Sequence, residues 1–146
     1  MDILNKRERS RRMSAVRSIG NRSTEWRFRA KLIREGISGW ELHPPDVPGK
    51  PDFLFRKLRL AIFIDGCFWH GCPNCRRPMP AANREYWSAK IATNIARRQD
   101  VIRQLRRIRF KTIQIWEHEL RTKKSQVFTR LLRLLSTTDR TRKSAS

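Results

Sequence analysis

The chain has 146 residues, a length that suits one domain with a single core. Its 34 lysine and arginine residues against 13 aspartate and glutamate residues give a formal net charge of +21, which predicts a polyanion, and nucleic acid first, as partner. No apolar run approaches the roughly 20 residues of a membrane-spanning helix, and residues 1–12 are charged and unlike a secretory signal, so a cytoplasmic protein is expected. A solvated basic surface without catalysis would carry the same charge.

The first predicted helix follows a basic N-terminal segment. Residues 1–22 are basic and weakly apolar, and we interpret them as an arm that contacts the nucleic acid. Ser23 and Thr24 offer an N-cap, and Gly36 is expected to end the helix. The apolar positions of this helix are Trp26, Phe28, Leu32 and Ile33.

Three strands are predicted next, at residues 40–42, 52–55 and 60–64. Between the first two strands, Pro44, Pro45, Pro48 and Gly49 predict an irregular loop. The third strand is a continuous apolar run that ends at Asp65, and such runs are typical of a strand buried on both faces.

The C-terminal half predicts helix, strand and helix. A long helix is expected at residues 84–108, with one apolar and one strongly basic face, then a strand at 112–116 and an amphipathic helix at 127–135. Residues 136–146 are expected to form a disordered basic tail. The order of elements predicts one α/β domain over residues 23–135, in which helices flank a mixed sheet.

All three cysteines lie within nine positions of one loop. An odd number of cysteines without a secretory signal argues against disulfides and for a metal site. Four residues separate Cys67 from Cys72 and two separate Cys72 from Cys75, so one further ligand would complete a structural zinc site. His118, which follows a predicted strand, is the candidate. Three free thiols and a surface histidine are the alternative.

Two aspartates mark the ends of neighbouring strands. Asp52 opens one strand and Asp65 ends the next, and an antiparallel hairpin places these two ends side by side. Two carboxylates at this separation would suit Mg²⁺, which binds through one or two carboxylates together with water and substrate phosphate. The alternative is that both aspartates are turn or capping residues.

Several motifs have the order and spacing of a known family. They are Pro51-Asp52, Ile64-Asp65-Gly66-Cys67-Phe68-Trp69-His70, Asn83-Arg84-Glu85-Tyr86-Trp87, Lys90-Ile91, Asn94 and Trp116-Glu117-His118. Through them, residues 10–135 resemble the very short patch repair endonucleases of bacteria. The resemblance implies a restriction-endonuclease-like fold of the PD-(D/E)xK type, with three layers. It also implies an enzyme that nicks double-stranded DNA 5′ to the thymine of a T:G mismatch left by deamination of 5-methylcytosine.

The resemblance further implies roles in cleavage. Asp52 would be the central Mg²⁺ ligand together with the backbone carbonyl of Ile64, with one or two ions bound. His70 would be the catalytic histidine that accepts or relays the proton of the attacking water. Glu25 would join them from the first helix. The alternative for His70 is a zinc ligand, because it lies between two cysteines, but His118 matches the distal ligand position of the family.

The chain departs from the family at two positions. The best-known members carry a histidine where this chain has Asp65, which we interpret as a direct metal ligand. Arg98 stands in a helical turn where relatives often carry an acidic residue. This second departure leaves the local support of the cleavage site open.

DNA recognition is also implied by the resemblance. A wedge that enters the base stack would consist of Phe68, Trp69 and Trp87. Lys90 and Asn94, four residues apart on the helical face of Trp87, would reach the T:G pair, and Met13 would approach from the minor groove. Without the family, Trp87 would be interpreted as a core residue and Lys90 as a solvated one.

Two other functions remain open. A non-catalytic, zinc-containing DNA-binding module would explain the charge, the aromatic residues and the thiols. A restriction-type nuclease of other specificity would use the same acidic pair. A single mismatch lacks two-fold symmetry, so a monomer is expected, and downstream repair proteins are conceivable partners.

Overall fold

The computed structural model describes residues 24–75, 78–121, 126 and 128–135, and it divides into two compact units, Met1–Ile37 and Ser38–Ser146. The predicted arm, with Met13, and the predicted tail lie outside the described residues. Ser23 of the predicted N-cap lies outside them as well.

The first unit contains helix α1, residues 24–34, and Gly36 forms the predicted stop just after it. Gly36 has φ +68°, and its N–H donates to the Ile33 carbonyl at 3.1 Å, while the Ile37 N–H donates to the Leu32 carbonyl at 2.9 Å. These two bonds form a Schellman motif. Of the apolar positions, Phe28 and Leu32 are buried.

The other two apolar positions of α1, Trp26 and Ile33, are 65% and 61% exposed. They are seven residues apart and share one face of the helix, whereas Phe28 and Leu32, four residues apart, share another. The apolar residues of α1 therefore lie on two faces, of which one is buried.

The second unit is built on a four-stranded mixed sheet in the order β1-β2-β3-β4. Its strands are β1 (Glu41–Leu42), β2 (Phe53–Phe55), β3 (Leu60–Asp65) and β4 (Lys111–Trp116). The first two pairings are antiparallel and the third is parallel. This confirms the predicted mixed α/β arrangement, and every residue of β3 is buried, as its continuous apolar run predicts.

Helices complete the second unit. Helix α2 (Arg84–Arg107) connects β3 to β4, and a short helix α3 (Glu117–Arg121), which the sequence pattern did not predict, follows β4 directly. Residues 128–135 form helix α4. No helix in the described part of the chain has the length and apolar character needed to cross a membrane.

The core of the second unit lies between the sheet and α2. It contains Val47, Leu54, Ala61, Phe63 and Leu105, with Val101 and Phe110 packed against it. The proline-rich loop before β2 closes onto this core at Gly49, where an added Cβ would lie 2.3 Å from Val101 Cγ1. This loop leads directly to Asp52, so core packing helps to position that carboxylate.

Candidate functional site

A cluster of three cysteines and one histidine forms where β3 and β4 end. The parallel register pairs Asp65 with Trp116, so Cys67 and His118, each two residues further on, lie beside each other. His118 Nδ1 is 3.2 Å from Cys67 Sγ, 3.6 Å from Cys72 Sγ and 3.3 Å from Cys75 Sγ. The long-range ligand expected from the sequence is therefore brought to the three cysteines.

The geometry of this cluster fits a tetrahedral zinc site. Bonds of about 2.3 Å to sulfur and about 2.0 Å to nitrogen place neighbouring sulfur and nitrogen ligands about 3.5 Å apart. Burial, only partly opposed by the contact with His118, raises the pKa of the Cys67 thiol to about 12. A bound cation would replace that proton, because zinc takes cysteine as thiolate.

The zinc loop, residues 66–75, is attached to α2. Asn94 Nδ2 on α2 donates to the Trp69 carbonyl at 2.9 Å, and Gly71 lies against Ile95, with an added Cβ only 2.7 Å from Ile95 Cδ1. Within the loop, the Cys72 N–H donates to the Cys67 carbonyl at 2.9 Å. The loop is therefore held at both its metal ligands and its aromatic residues.

The three predicted wedge residues form one aromatic cluster. Their ring centroids are 5.3 Å apart for Phe68 and Trp69, 5.9 Å for Phe68 and Trp87, and 5.6 Å for Trp69 and Trp87, all edge to face. Trp87 is buried, whereas Phe68 and Trp69 are half-buried. Trp87 therefore supports the two rings of the loop, while Lys90 lies half-buried one turn further along α2.

Asp52 lies against β3. Its Oδ2 accepts a hydrogen bond of 2.7 Å from the Ile64 N–H, so the carboxylate and the backbone of Ile64 are adjacent. The side chain is 23% exposed, and a carboxylate offers about four acceptor positions, a donor set that suits a cation. Asp52 and Ile64, two of the three expected magnesium ligands, are thus brought together by the antiparallel pairing of β2 and β3.

Asp65 occupies a different environment from Asp52. It is 1% exposed, and Arg98 donates from Nε to Oδ2 at 2.9 Å and from Nη2 to Oδ1 at 2.7 Å. Gln114 Nε2 donates to Oδ2 at 2.7 Å, and His70 Nε2 lies 3.5 Å from Oδ1. No group of three or more possible metal-ligating side chains among the described residues includes Asp65. These contacts place four polar groups around the Asp65 carboxylate, and its role as a direct metal ligand stays a prediction.

Sequence reasoning missed two neighbours of these aspartates, His43 and Gln114. His43 Nδ1 is 3.9 Å from Asp52 Oδ1, and the strand register could have found it, because Leu42 pairs with Phe53 and the next pair outward is His43 with Asp52. Gln114 stands on β4 opposite Phe63, and no local signal marks it. Glu25 lies on α1 in the first unit, and its role in cleavage stays a prediction.

The comparison with known proteins finds the same family that the sequence motifs resemble. Residues 1–77 match the family model described as DNA mismatch endonuclease Vsr. The type II nicking enzyme V.NaeI of Lentzea aerocolonigenes is 38% identical over 115 residues, which cover 76% of this chain and 68% of that protein.

For two further relatives, the matched region covers most of the relative's own length. The DNA mismatch endonuclease Vsr of Escherichia coli strain K12 is 32% identical over 120 residues, which are 82% of this chain and 76% of that protein. The type II nicking enzyme V.XorIIP of Xanthomonas oryzae pv. oryzae is 38% identical over 120 residues, with 82% and 86% covered.

Proposed function

This chain belongs to the Vsr family and is a DNA-nicking endonuclease, and from this premise we propose that it nicks duplex DNA 5′ to the thymine of T:G mismatches by magnesium-dependent hydrolysis. Such mismatches arise by deamination of 5-methylcytosine, so the nick would initiate very short patch repair. The adjacency of Asp52 Oδ2 and the Ile64 N–H supports the cleavage part of the proposal, because it brings the carboxylate to the backbone of the second proposed ligand residue.

A nicking enzyme of other specificity is the second candidate. Two of the three relatives compared above are named type II nicking enzymes, whereas the one named a mismatch endonuclease is 32% identical. The names therefore support this alternative better than they support the T:G target. Both candidate functions use the same cleavage chemistry. They differ only in the DNA site that the aromatic cluster and its surroundings recognise.

Asp52 and the Ile64 carbonyl would hold Mg²⁺, with water and the scissile phosphate completing the coordination. The bound ion supplies Lewis-acid activation of the phosphoryl group and of the attacking water. His70 accepts the proton of that water, and Asp65, held by Arg98 and Gln114, orients the His70 ring through its Oδ1. Glu25 is proposed to assist from α1.

The fold that accompanies this chemistry is proposed to be restriction-endonuclease-like, with three layers. The mixed sheet, the carboxylates at the ends of β2 and β3, and α2 packed on the sheet support it. The Cys₃His cluster is proposed to hold a structural zinc ion, which the cleavage chemistry does not itself need.

Mismatch recognition is proposed to use Phe68 and Trp69 as the wedge, with the buried Trp87 ring packed against both. Opening a base step costs a few kcal/mol, and a mismatched pair opens more easily than a matched one, so part of the selectivity is energetic. Lys90 and Asn94 are proposed to contact the T:G pair, with Met13 in the minor groove. Asn94 is 4% exposed and its Nδ2 donates to the Trp69 carbonyl, so a contact with the T:G pair would use its Oδ1 after the loop opens onto DNA.

The test is nicking of end-labelled duplexes with Mg²⁺ at a stated salt concentration. A T:G duplex is compared with C:G and T:A duplexes in several flanking contexts, for the wild type and for Trp69→Ala. Cutting of the thymine strand only at T:G, with selectivity reduced in Trp69→Ala, would support the main proposal. Cutting of matched duplexes at one sequence would support the second candidate, and binding without cutting would overturn both.

A further inference from the structure

A cationic surface lies at the end of the sheet opposite the zinc loop. Three segments contribute to it: the turn between β2 and β3, the end of α2, and the start of β4. We call it the turn patch, and its six exposed residues are Lys57, Arg59, Arg106, Arg107, Arg109 and Lys111.

Contacts between the two turns hold these segments together. The Lys111 N–H donates to the Arg59 carbonyl at 2.8 Å, and Arg59 Nη1 donates to the Ile108 carbonyl at 3.0 Å. The Arg59 guanidinium carbon also lies 5.7 Å from the centre of the Phe110 ring. Cations that are distant in sequence are therefore gathered on one surface of fixed geometry.

The nearby carboxylates do not neutralise this surface. Residues 56–60 and 104–111 contain no aspartate or glutamate. Glu41 and Asp46 both pair with Arg56, at 2.7 and 2.9 Å, and Asp100 pairs with Arg103 at 3.4 Å. Among the described residues, no ion pair involves any member of the turn patch.

The backbone gives a second, independent observation. Arg59 and Arg109 have φ of 52° and 68°, in the left-handed region where glycine or asparagine is favoured. Arg59 uses one Nη1 within the turn, but the contacts described for Arg109 involve its backbone only. Turn formation alone therefore does not explain an arginine at position 109.

We propose that the turn patch binds the phosphate backbone of a second segment of duplex DNA while the first segment occupies the cleavage site. The six-residue strand β3 separates the two surfaces by about 20 Å, at about 3.3 Å per residue. Duplex DNA has a persistence length of about 150 base pairs, so one short duplex could serve both surfaces only along a straight axis, and capture of a separately labelled duplex tests for a second segment. The inference rests on the proposed function only in taking DNA as the ligand.

The test measures bridging between two short duplexes of different label. A mismatch duplex is tethered to beads, and protein-dependent capture of a free fluorescent duplex is measured over a salt series. The turn-patch variant combines Lys57→Gln, Arg59→Asn, Arg109→Asn and Lys111→Gln, since asparagine tolerates left-handed backbone. The control combines Arg103→Gln, Arg121→Gln, Arg130→Gln and Arg133→Gln, which removes the same charge from exposed residues elsewhere.

The wild type and the control should capture the second duplex, and the turn-patch variant should capture it at least about tenfold less. The salt dependence of capture, as log K against log salt, should become shallower by about 3 to 4 for four lost phosphate contacts. Nicking of the tethered duplex should not change. Undiminished capture by the variant, or equal loss in the control, would overturn the proposal.

Folding of each variant is checked by circular dichroism and zinc content. If the fourfold variant does not fold, Lys57→Gln with Arg109→Asn still removes two cations whose side chains make no described contact, and undiminished capture by this variant would overturn the proposal. If the wild type captures the second duplex but does not nick the tethered one, that result counts against the proposed function and not against the turn patch, because capture does not require cleavage.

Discussion

Arg98 on α2 donates hydrogen bonds to both carboxylate oxygens of the buried Asp65 at the end of β3, at 2.9 and 2.7 Å. The guanidinium carbon of Arg98 also lies 3.9 Å from the centre of the Phe63 ring, so the cation is held between a carboxylate and an aromatic face. This pair joins the long helix to the strand that leads into the zinc loop.

Removing one member of the pair should destabilise the protein strongly. Arg98→Met leaves the Asp65 carboxylate, 1% exposed, with Gln114 as its remaining strong donor, and uncompensated buried charges of this kind cost about 3 to 5 kcal/mol. Urea unfolding measures the free energy of unfolding. Arg103→Met is the control on the same helix, because its pair with Asp100 is exposed and should contribute less than about 1 kcal/mol. Similar losses of unfolding free energy in Arg98→Met and Arg103→Met would contradict the view that the Arg98–Asp65 pair stabilises the protein more than an exposed pair does.

The double variant Asp65→Leu with Arg98→Met separates stability from function. An apolar pair of similar volume should recover most of the stability lost in Arg98→Met, since the uncompensated charge is gone. Nicking should stay low, because His70 loses the carboxylate at 3.5 Å from its Nε2. Single-turnover nicking with bound DNA measures the chemical step, and a wild-type rate would show that His70 does not need Asp65.

Asp52→Asn and His70→Ala should each lower nicking by at least about 100-fold, because one removes the carboxylate proposed to hold Mg²⁺ and the other the general base. Thermal unfolding and zinc content should stay close to those of the wild type, since neither side chain belongs to the Cys₃His cluster. The rate of nicking is measured with labelled T:G duplex. Full activity in both variants would sink the proposed chemistry.

One zinc ion per chain is expected from metal analysis of the purified protein. His118→Ala should lose it, because its Nδ1 lies within 3.6 Å of all three Sγ atoms, whereas His70→Ala should retain it. Structural zinc sites contribute apparent binding free energies of about 10 to 16 kcal/mol, so chelation should also lower the unfolding temperature. Zinc loss in His70→Ala with retention in His118→Ala would instead make His70 the fourth ligand.

Gly49→Ala should destabilise the protein more than Gly39→Ala. Both glycines have positive φ, +78° and +83°, so each alanine pays about 1 to 2 kcal/mol for left-handed backbone. Only at Gly49 would the new Cβ meet the stiff, branched Val101 at 2.3 Å, which adds about 1 to 3 kcal/mol of overpacking.

Chemical denaturation of the two glycine variants measures this difference. Adding Val101→Ala to Gly49→Ala should recover the part of the unfolding free energy lost to overpacking. Adding Val101→Ala to Gly39→Ala should recover none. Equal free energies of unfolding for the two glycine variants would show that the loop before Asp52 does not rest on α2 in the way the core packing indicates.

The sequence by itself determined the features that depend on local pattern. The apolar run before Asp65 predicted a strand buried on both faces, the long periodic segment predicted α2, and cysteine spacing predicted the metal-ligating loop. These succeeded because period, burial and ligand spacing act over a few neighbouring residues. The short α3 was missed because it follows a strand without a separating turn signal.

The tertiary structure decided which groups face one another across the chain. The sequence predicts Asp65 as a metal ligand beside Asp52, and only the tertiary structure brings Arg98 on α2 and Gln114 on β4 to its carboxylate. His43 reaches Asp52 only through the register of β1 and β2. The physical reason is that a buried carboxylate takes the best cation and donors available in space, and their positions are set by packing of the helix and sheet and not by the residues adjacent in sequence.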